Sequence, residues 1–408
     1  MIGLILVLKA SKSALKYYVF EAGAKDPISQ GKVRGIGEDG TGEIWHELTE
    51  GKVYTPDLSI PTVEAALASA LRMMETNGVP VSSLAAVAHR VVHTADRFTE
   101  SRLVDDEVID AINEFALLAP DHNPATIDGI RAAEKLLPNL PNVAVFDTSF
   151  FSQLPDATAG YALPAELSDK LRLRKVGFHG PTHSYVANRV SLLLGRHELK
   201  QIVVYLGRWA SISAIDSGRP IEVSTGITPI DGLPGRTVSG SIDPGIHRYV
   251  CEKTGMSIEE FDQLLREGSG LFGMTGQKSM VDVWAAADEG DQQARVGLGI
   301  LVHRIVSLIA AYHVVLGGAQ AISFTGTAGE QDHRLRRAVC DRLEVIGVDL
   351  DQNINEKTHS DVRSRIISTP HSAIPVLMIQ QREALAIARE ACALLEAQAE
   401  AVGQEEAE

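Results

Sequence analysis

The stretch IGLILVLKASKSALKYYVFE, residues 2–21, decides how this chain folds. Ile2–Leu8 is a continuous apolar run, KASKSALK (9–16) is small and polar, and YYVFE (17–21) is strand-like again. No basic residues precede the apolar run and no cleavage-like segment follows it, so a first β-strand accounts for it better than a signal peptide. The same unit recurs in IVVYLGRWASISAIDSG, residues 202–218: an apolar run Ile202–Leu206, the loop GRWAS, the strand-like ISAID and a turn at Gly218. Strand, polar loop and returning strand thus open two halves of the chain. That is the mark of an internal duplication rather than of a short tandem repeat.

Around these units, strands and helices alternate. Val63, Ala66, Leu67, Ala70 and Met74 have helical spacing within Pro61–Gly78, and Asp105–Leu118 and Pro124–Leu137 read as further helices. Ala85–His93 and Asn142–Asp147 read as strands that end in polar residues. Beyond the second unit come a long helical region, Asp282–Val315, a short strand, Ala321–Phe324, and a helix, Arg334–Leu343. A closing helix, Ala384–Ala401, frays into the acidic tail Glu405–Glu408. The alternation predicts an α/β protein whose strand-end loops carry any site. Two domains are expected, residues 1–150, with the closing helix near 384–401 packed on it, and residues 151–383.

A length of 408 residues suits two or three domains. Aromatic residues are only 5% against 45% hydrophobic, so the core must be mainly aliphatic. Lys plus Arg is 38 and Asp plus Glu is 53; the net charge of −15 argues against nucleic acid and anionic membrane as partners. The apolar stretch Ile305–Gly318 is too short to span a bilayer and carries His313, which predicts a buried helix. Cys251, Cys340 and Cys392 are odd in number and widely spaced, with neither a zinc pattern nor a disulfide framework, as in a reducing, cytoplasmic setting.

Several segments carry possible chemistry, each beside a plainer reading. Arg90 ends a predicted strand with His89 and His93 and can hold a carboxylate or phosphate through two parallel hydrogen bonds; spacing alone leaves it equally readable as a structural Arg. Asp147, at the end of the next strand, can ligate Mg²⁺ or orient a nucleophile, but also reads as a helix cap. In GFHGPTH (177–183) two histidines flank a Gly-Pro turn before a helix at Ser184–Leu193. We read His179 as functional, beside an anion, and His183 as structural, at the helix start. Residues 231–244 form a Gly/Ser-rich loop able to offer N–H groups to a phosphate. FTGTAGE (324–330) reads as strand, Gly loop and helix, suited to a nucleotide or to a plain tight turn.

Together and in this order the segments resemble the acetate kinase family almost end to end. HRVVHTADRFTES (89–101), LAPDHNPATIDGI (118–130), NVAVFDTSF (142–150) and RKVGFHGPTHSYV (174–186) look like its consecutive motifs, and GITPIDGL (226–233), SIDPG (241–245) and ALAIARE (384–390) extend the match. The resemblance implies the sugar-kinase/actin/Hsp70-type fold, with two duplicated domains, an interdomain cleft and a homodimer. It also implies phosphoryl transfer between ATP and acetate with Mg²⁺. It maps catalysis onto Arg90, Asp147 and His179, metal binding onto Asp147 and Glu383, and the acetate pocket onto Val92, Phe178, Pro229 and Asp121. The last of these is normally Leu, and a carboxylate there would repel acetate at close range or bind something else.

The phosphate-donor side departs from the family. Its first loop, Asn-Ala-Gly-Ser-Ser-Ser-x-Lys, appears as residues 9–16, with Lys9, Lys12, Ser13 and Lys16. The second, His-Leu-Gly-Asn-Gly-x-Ser, retains Gly207 but carries Arg208 and Trp209 where Asn and Gly stand. Thr-Arg-Ser-Gly-Asp becomes residues 237–241, with Val238 in place of an Arg; loss of one transition-state Arg can cost roughly 10³–10⁵ in rate. Asp-x-Arg-Asp becomes Met280–Val283, and the last Gly loop retains Gly326 and Gly329. Two functions follow. One is a carboxylate kinase, weak or altered, using ATP or a compact donor such as pyrophosphate held by Lys9, Lys12 and Arg208. The other is a non-catalytic relative that binds an anion or a protein partner. Whether Arg236 or Arg208 replaces the missing Arg separates them.

Overall fold

The computed structural model of the protein describes residues 3–38, 40–48, 51–357 and 364–405. Most of the acidic tail therefore lies outside the described residues. The chain divides into two compact units, Met1–Ser152 with Arg382–Glu408, and Gln153–Gln381.

In the first unit, β1 (Leu4–Ser11) and β2 (Ala14–Glu21) form a hairpin, followed by β3 (Ser29–Arg34), β4 (Gly42–Leu48), β5 (Gly51–Leu58), β6 (Leu84–Val91), β7 (Arg102–Leu103) and β8 (Asn142–Phe146). The sheet order is β5-β4-β3-β2-β1-β6-β8-β7, antiparallel from β5 to β1, parallel through β6 and β8, and antiparallel again at β7. Ile5–Leu8 of the central strand are buried at every position, as expected where both faces of a sheet are covered. The helix Val63–Thr76 starts at Thr62, whose hydroxyl accepts the Ala65 N–H at 3.1 Å. It lays Val63, Ala66, Leu67, Ala70 and Met74 on Leu6, Leu8, Leu15 and Tyr17. The closing helix, Glu383–Glu405, contacts β1, β6 and β8.

The second unit holds β9 (Lys200–Leu206), β10 (Ala210–Asp216), β11 (Arg219–Val223), β12 (Ala321–Thr325), β13 (Ser364–Ile366) and β14 (Val376–Ile379), in the order β11-β10-β9-β12-β14-β13. This repeats β3-β2-β1-β6-β8-β7 strand for strand, with the same antiparallel and parallel pairings. The duplication expected from two short stretches extends over six strands.

Local differences from the sequence reading have local causes. The first polar stretch is no open loop: β1 and β2 stay paired to Ser11 and Ala14, which leaves a two-residue turn at Lys12 and Ser13. The helical region Asp282–Val315 is two helices, Met280–Asp288 and Gln292–Val315. Gly290 takes φ +101° between them, and the Asp291 carboxylate accepts the N–H groups of Gln293 and Ala294, starting a new helix. Helix Gln292–Val315 has the length and apolarity to cross a membrane. Here a stripe of Leu301, Val302, Ile305, Ile309 and Tyr312 is buried in the core of the second sheet, and Leu298 packs with Val283, Ala287 and Ala294, while Val296, Ile300, Val314 and Val315 are exposed. The expected helix Arg334–Leu343 ends at Cys340 and continues as a 3-10 turn stopped by Gly347 at φ +85°.

Candidate active site

In the first unit the register of two parallel strands brings the charged groups together. Arg90 of β6 pairs with Val145 of β8, and the Asp147 N–H donates to the Val91 carbonyl at 2.8 Å, which continues the ladder one step past β8. Val145 and Asp147 are two residues apart, so Asp147 presents its carboxylate on the face that Arg90 occupies. The guanidinium lies along that carboxylate, Nε to Oδ1 at 2.8 Å and Nη2 to Oδ2 at 2.5 Å. Its Nε is also 3.2 Å from Oε1 of Glu383, the first residue of the closing helix. The other Glu383 oxygen accepts from Nζ of Lys9 on β1. Asp147 is fully buried and Glu383 is 5% exposed; Arg90 and Lys9 are 16% and 15% exposed.

Lys9 stands opposite Lys16 in the hairpin. Burial, then the Arg90 and Lys16 charges, push its pKa well below the ordinary lysine value, while Asp147 acts the other way. The direct contact with Glu383 also favours the ammonium. Behind this cluster His89 is buried with Nε2 at 2.8 Å from Asn142 Oδ1, and burial pushes it down to about 4.

These residues do not fit a resident Mg²⁺ as they stand. Both Asp147 oxygens face the Arg90 fork and both Glu383 oxygens face Arg90 or Lys9. Among the described residues no three His, Cys, Asp or Glu side chains converge as for a metal ion. Lys9, read as a holder of donor phosphate, is engaged by Glu383 instead. Lys12 and Lys16 are exposed on the hairpin, where the Lys12 N–H donates to the Asp121 carbonyl at 3.0 Å. Exposed Ser13 completes the turn.

In the second unit His179 has φ +61°, a strained conformation for a side chain of its size, at the N-terminus of helix Gly180–Leu194. Its ring lies 4.4 Å from that of Tyr205 on β9, and Nδ1 is 3.1 Å from Ser211 Oγ on β10. His183 does not cap the helix. Its Nε2 and Nδ1 each lie 2.8 Å from a serine hydroxyl, of Ser211 and Ser213, which gives it a packing role inside the unit. Of the carboxylate-pocket residues, Val92 and half-buried Asp121 belong to the first unit, and buried Phe178 and half-buried Pro229 to the second.

The donor-side loops of the second unit surround a cavity of about 650 Å³. Gly207, Arg208, Gly235, Arg236, Lys278 and Trp284 are among its walls, and Trp209 is not. A Cβ on Gly207 would lie 2.7 Å from the Tyr205 hydroxyl, so that side chain would have to shift. Val238 is buried, whereas Arg208 and Arg236 are exposed at the cavity and joined by an Arg236 N–H to Arg208 carbonyl bond of 3.1 Å. The Gly/Ser-rich loop spends its N–H groups internally: Gly232 donates to Asp231 and Ser241, Gly235 to Val238, and Ser239 to Leu265. After β12 there is no Gly loop. Helix Gly326–Gln331 starts at once, and Gly326, at φ +81°, lies so close to Leu206 that a Cβ would meet its backbone at 2.9 Å. Gly329 is buried in that helix and its carbonyl accepts from Arg336.

The sequence reading missed the cavity's far wall. Trp284 donates to Asp332 at 2.8 Å and carries Arg334 over its ring at 4.3 Å, while Arg334 forks onto Asp288. A lone Trp in VDVWAAAD was the available signal, and it has no meaning until the helix is packed.

Two sheets of duplicated topology define an α/β fold of the sugar-kinase/actin type. The chain matches the Acetokinase family over residues 4–389. It is 42% identical to an acetate kinase of Leifsonia xyli over 392 residues, 95% of this chain and 98% of that one. It is 40% identical to one of Corynebacterium jeikeium over 402 residues, 97% and 99% of the two chains. Among solved structures, Porphyromonas gingivalis acetate kinase superposes with a TM-score of 0.89 at 32% identity, over 96% of this chain and all of that one. A Francisella tularensis propionate kinase gives 0.89 at 32%, over 95% and 98%. The chain belongs to the acetate kinase family.

Proposed function

We propose that the protein is a carboxylate kinase that transfers the γ-phosphoryl of ATP to acetate or a similar short-chain carboxylate. A carboxylate oxygen bonds to the γ-phosphorus as the bond to the β-phosphate oxygen breaks, giving an acyl phosphate and ADP. The Arg90 fork on Asp147, at the ends of adjacent parallel strands in a chain matched to the family from end to end, carries this reading. In it Arg90 and His179 offset charge on the transferring group, and Asp147 orients Arg90. In this reading Val92, Phe178 and Pro229 receive the acceptor, and Asp121 is the acidic fourth position of that pocket, which selects among acceptors.

The cavity supports ATP over pyrophosphate. About 650 Å³ with Trp284, Leu271 and Leu301 in its walls suits a base and ribose and far exceeds a bare diphosphate. Arg208 and Arg236 line that cavity, and in this reading one of them supplies the guanidinium that Val238 lacks. The relatives are named acetate kinases, which favours turnover over a non-catalytic role. A homodimer and a cytoplasmic location belong to the same proposal.

Trapping acyl phosphate as its hydroxamate, with ATP and with pyrophosphate across acetate, propionate and butyrate, tests the reading. We expect product with ATP, and a loss of about 10³-fold or more in kcat for Asp147→Asn and Arg90→Ala. Turnover no higher than that of Asp147→Asn with every donor would remove the proposal.

A further inference from the structure

We propose that the Lys9 amine takes the Glu383 oxygen that a divalent ion would need, beside an Arg90 guanidinium that already holds Asp147, so the first unit holds no metal of its own. On this proposal, a divalent ion in the reaction comes and goes on phosphate oxygens. The inference rests on the kinase reading only for that last step; its geometry stands without it.

Four side chains carry it. Asp147 and Glu383 are nine-tenths or more buried and supply two negative charges. A buried carboxylate pair demands compensation, from protons, a metal or fixed cations. Here it is met by fixed cations: Arg90 reaches both carboxylates and Lys9 takes the remaining Glu383 oxygen. Two acids thus face two bases, with Lys16 as a further cation across the hairpin from Lys9. A metal ion needs lone pairs pointing into a shared space, and it would meet like charges on entry. Lys9 sits on the central strand, paired on both edges, so the amine is tethered from rigid backbone. The residue that decides the metal question is therefore neither carboxylate but the base between β1 and the closing helix.

Binding of Mn²⁺ alone to the full chain, followed by loss of the free-ion electron paramagnetic resonance signal, tests this without turnover. The wild type is expected to show no saturable site that depends on Glu383. Lys9→Asn and Lys9→Met, each removing the charge and the second keeping the length, are expected to gain one site per chain. That site should be at least tenfold tighter than any in the wild type and be lost again when Glu383→Gln is added. Circular dichroism melting checks that each variant is folded, and Lys9→Met covers the case in which Lys9→Asn is not. A wild-type site abolished by Glu383→Gln would overturn the inference. So would a failure of both folded Lys9 variants to gain a site. Acyl phosphate formation, measured separately, tests the kinase reading, so the two can fail independently.

Discussion

Single residues in this molecule are set by burial more than by sequence neighbours. His89 shows it most simply. It adjoins Arg90, yet its ring points to Asn142 in a fully packed environment that drives its pKa from 6.5 to about 4. The folded state thus resists a proton that the unfolded chain accepts below about 6.5. Stability from this group is complete above pH 6.5 and is lost as pH falls towards 4, by roughly 3 kcal/mol at about 1.4 kcal/mol per pH unit. Urea unfolding midpoints at pH 7 and pH 4.5 should therefore fall less steeply for His89→Gln than for the wild type. Equal slopes would remove His89 from the acid lability of the fold. Val238 is buried as well, as suits its apolar side chain.

At the scale of elements, the helix Gln292–Val315 is the strongest test of the packing argument. Its length and composition suit a membrane span, and a third of its apolar window is buried inside the unit, along a stripe of residues mostly three or four apart. Ile305 is fully buried and Val314 is 75% exposed. Ile305→Ala should cost about 2–5 kcal/mol through lost contacts and the cavity left behind. Val314→Ala should stay within about 0.5 kcal/mol. Calorimetric melting of the two variants compares them directly, and equal costs would show that the stripe assigned to the core is not the one that stabilises it. The hairpin at the front of the chain makes the related point for strands. Pairing through Ser11 and Ala14 puts six of the eight residues 9–16 into the ladder rather than an open loop, and so fixes Lys9 opposite Lys16.

For the whole molecule, the second unit is a continuous insertion between Ser152 and Arg382 of the first. It has its own six-stranded sheet and its own hydrophobic core, built on β9, β10, β12 and the helix Gln292–Val315. A fragment of residues 153–381 is expected to fold alone and melt in one cooperative transition, followed by near-ultraviolet circular dichroism and calorimetry. A fragment with helical signal but no cooperative melt would mean that the core needs the other unit. The first unit is discontinuous, since its closing helix returns only after the insertion.

The amino-acid sequence determined the α/β class, the paired strand–turn–strand units and the family, because apolar periodicity and contiguous motifs are local properties of the chain. It also placed Arg90 and Asp147 at strand ends. What it did not contain was pairing over long separations. Lys9 and Glu383 are 374 positions apart, and their contact exists only because the closing helix packs on β1. Trp284, Arg334 and Asp288 became a cavity wall for the same reason, and the Gly/Ser-rich loop ceased to be an anion cradle once its N–H groups found internal partners. Register and helix docking decide which charges meet, and those depend on the packed sheet rather than on any window of sequence.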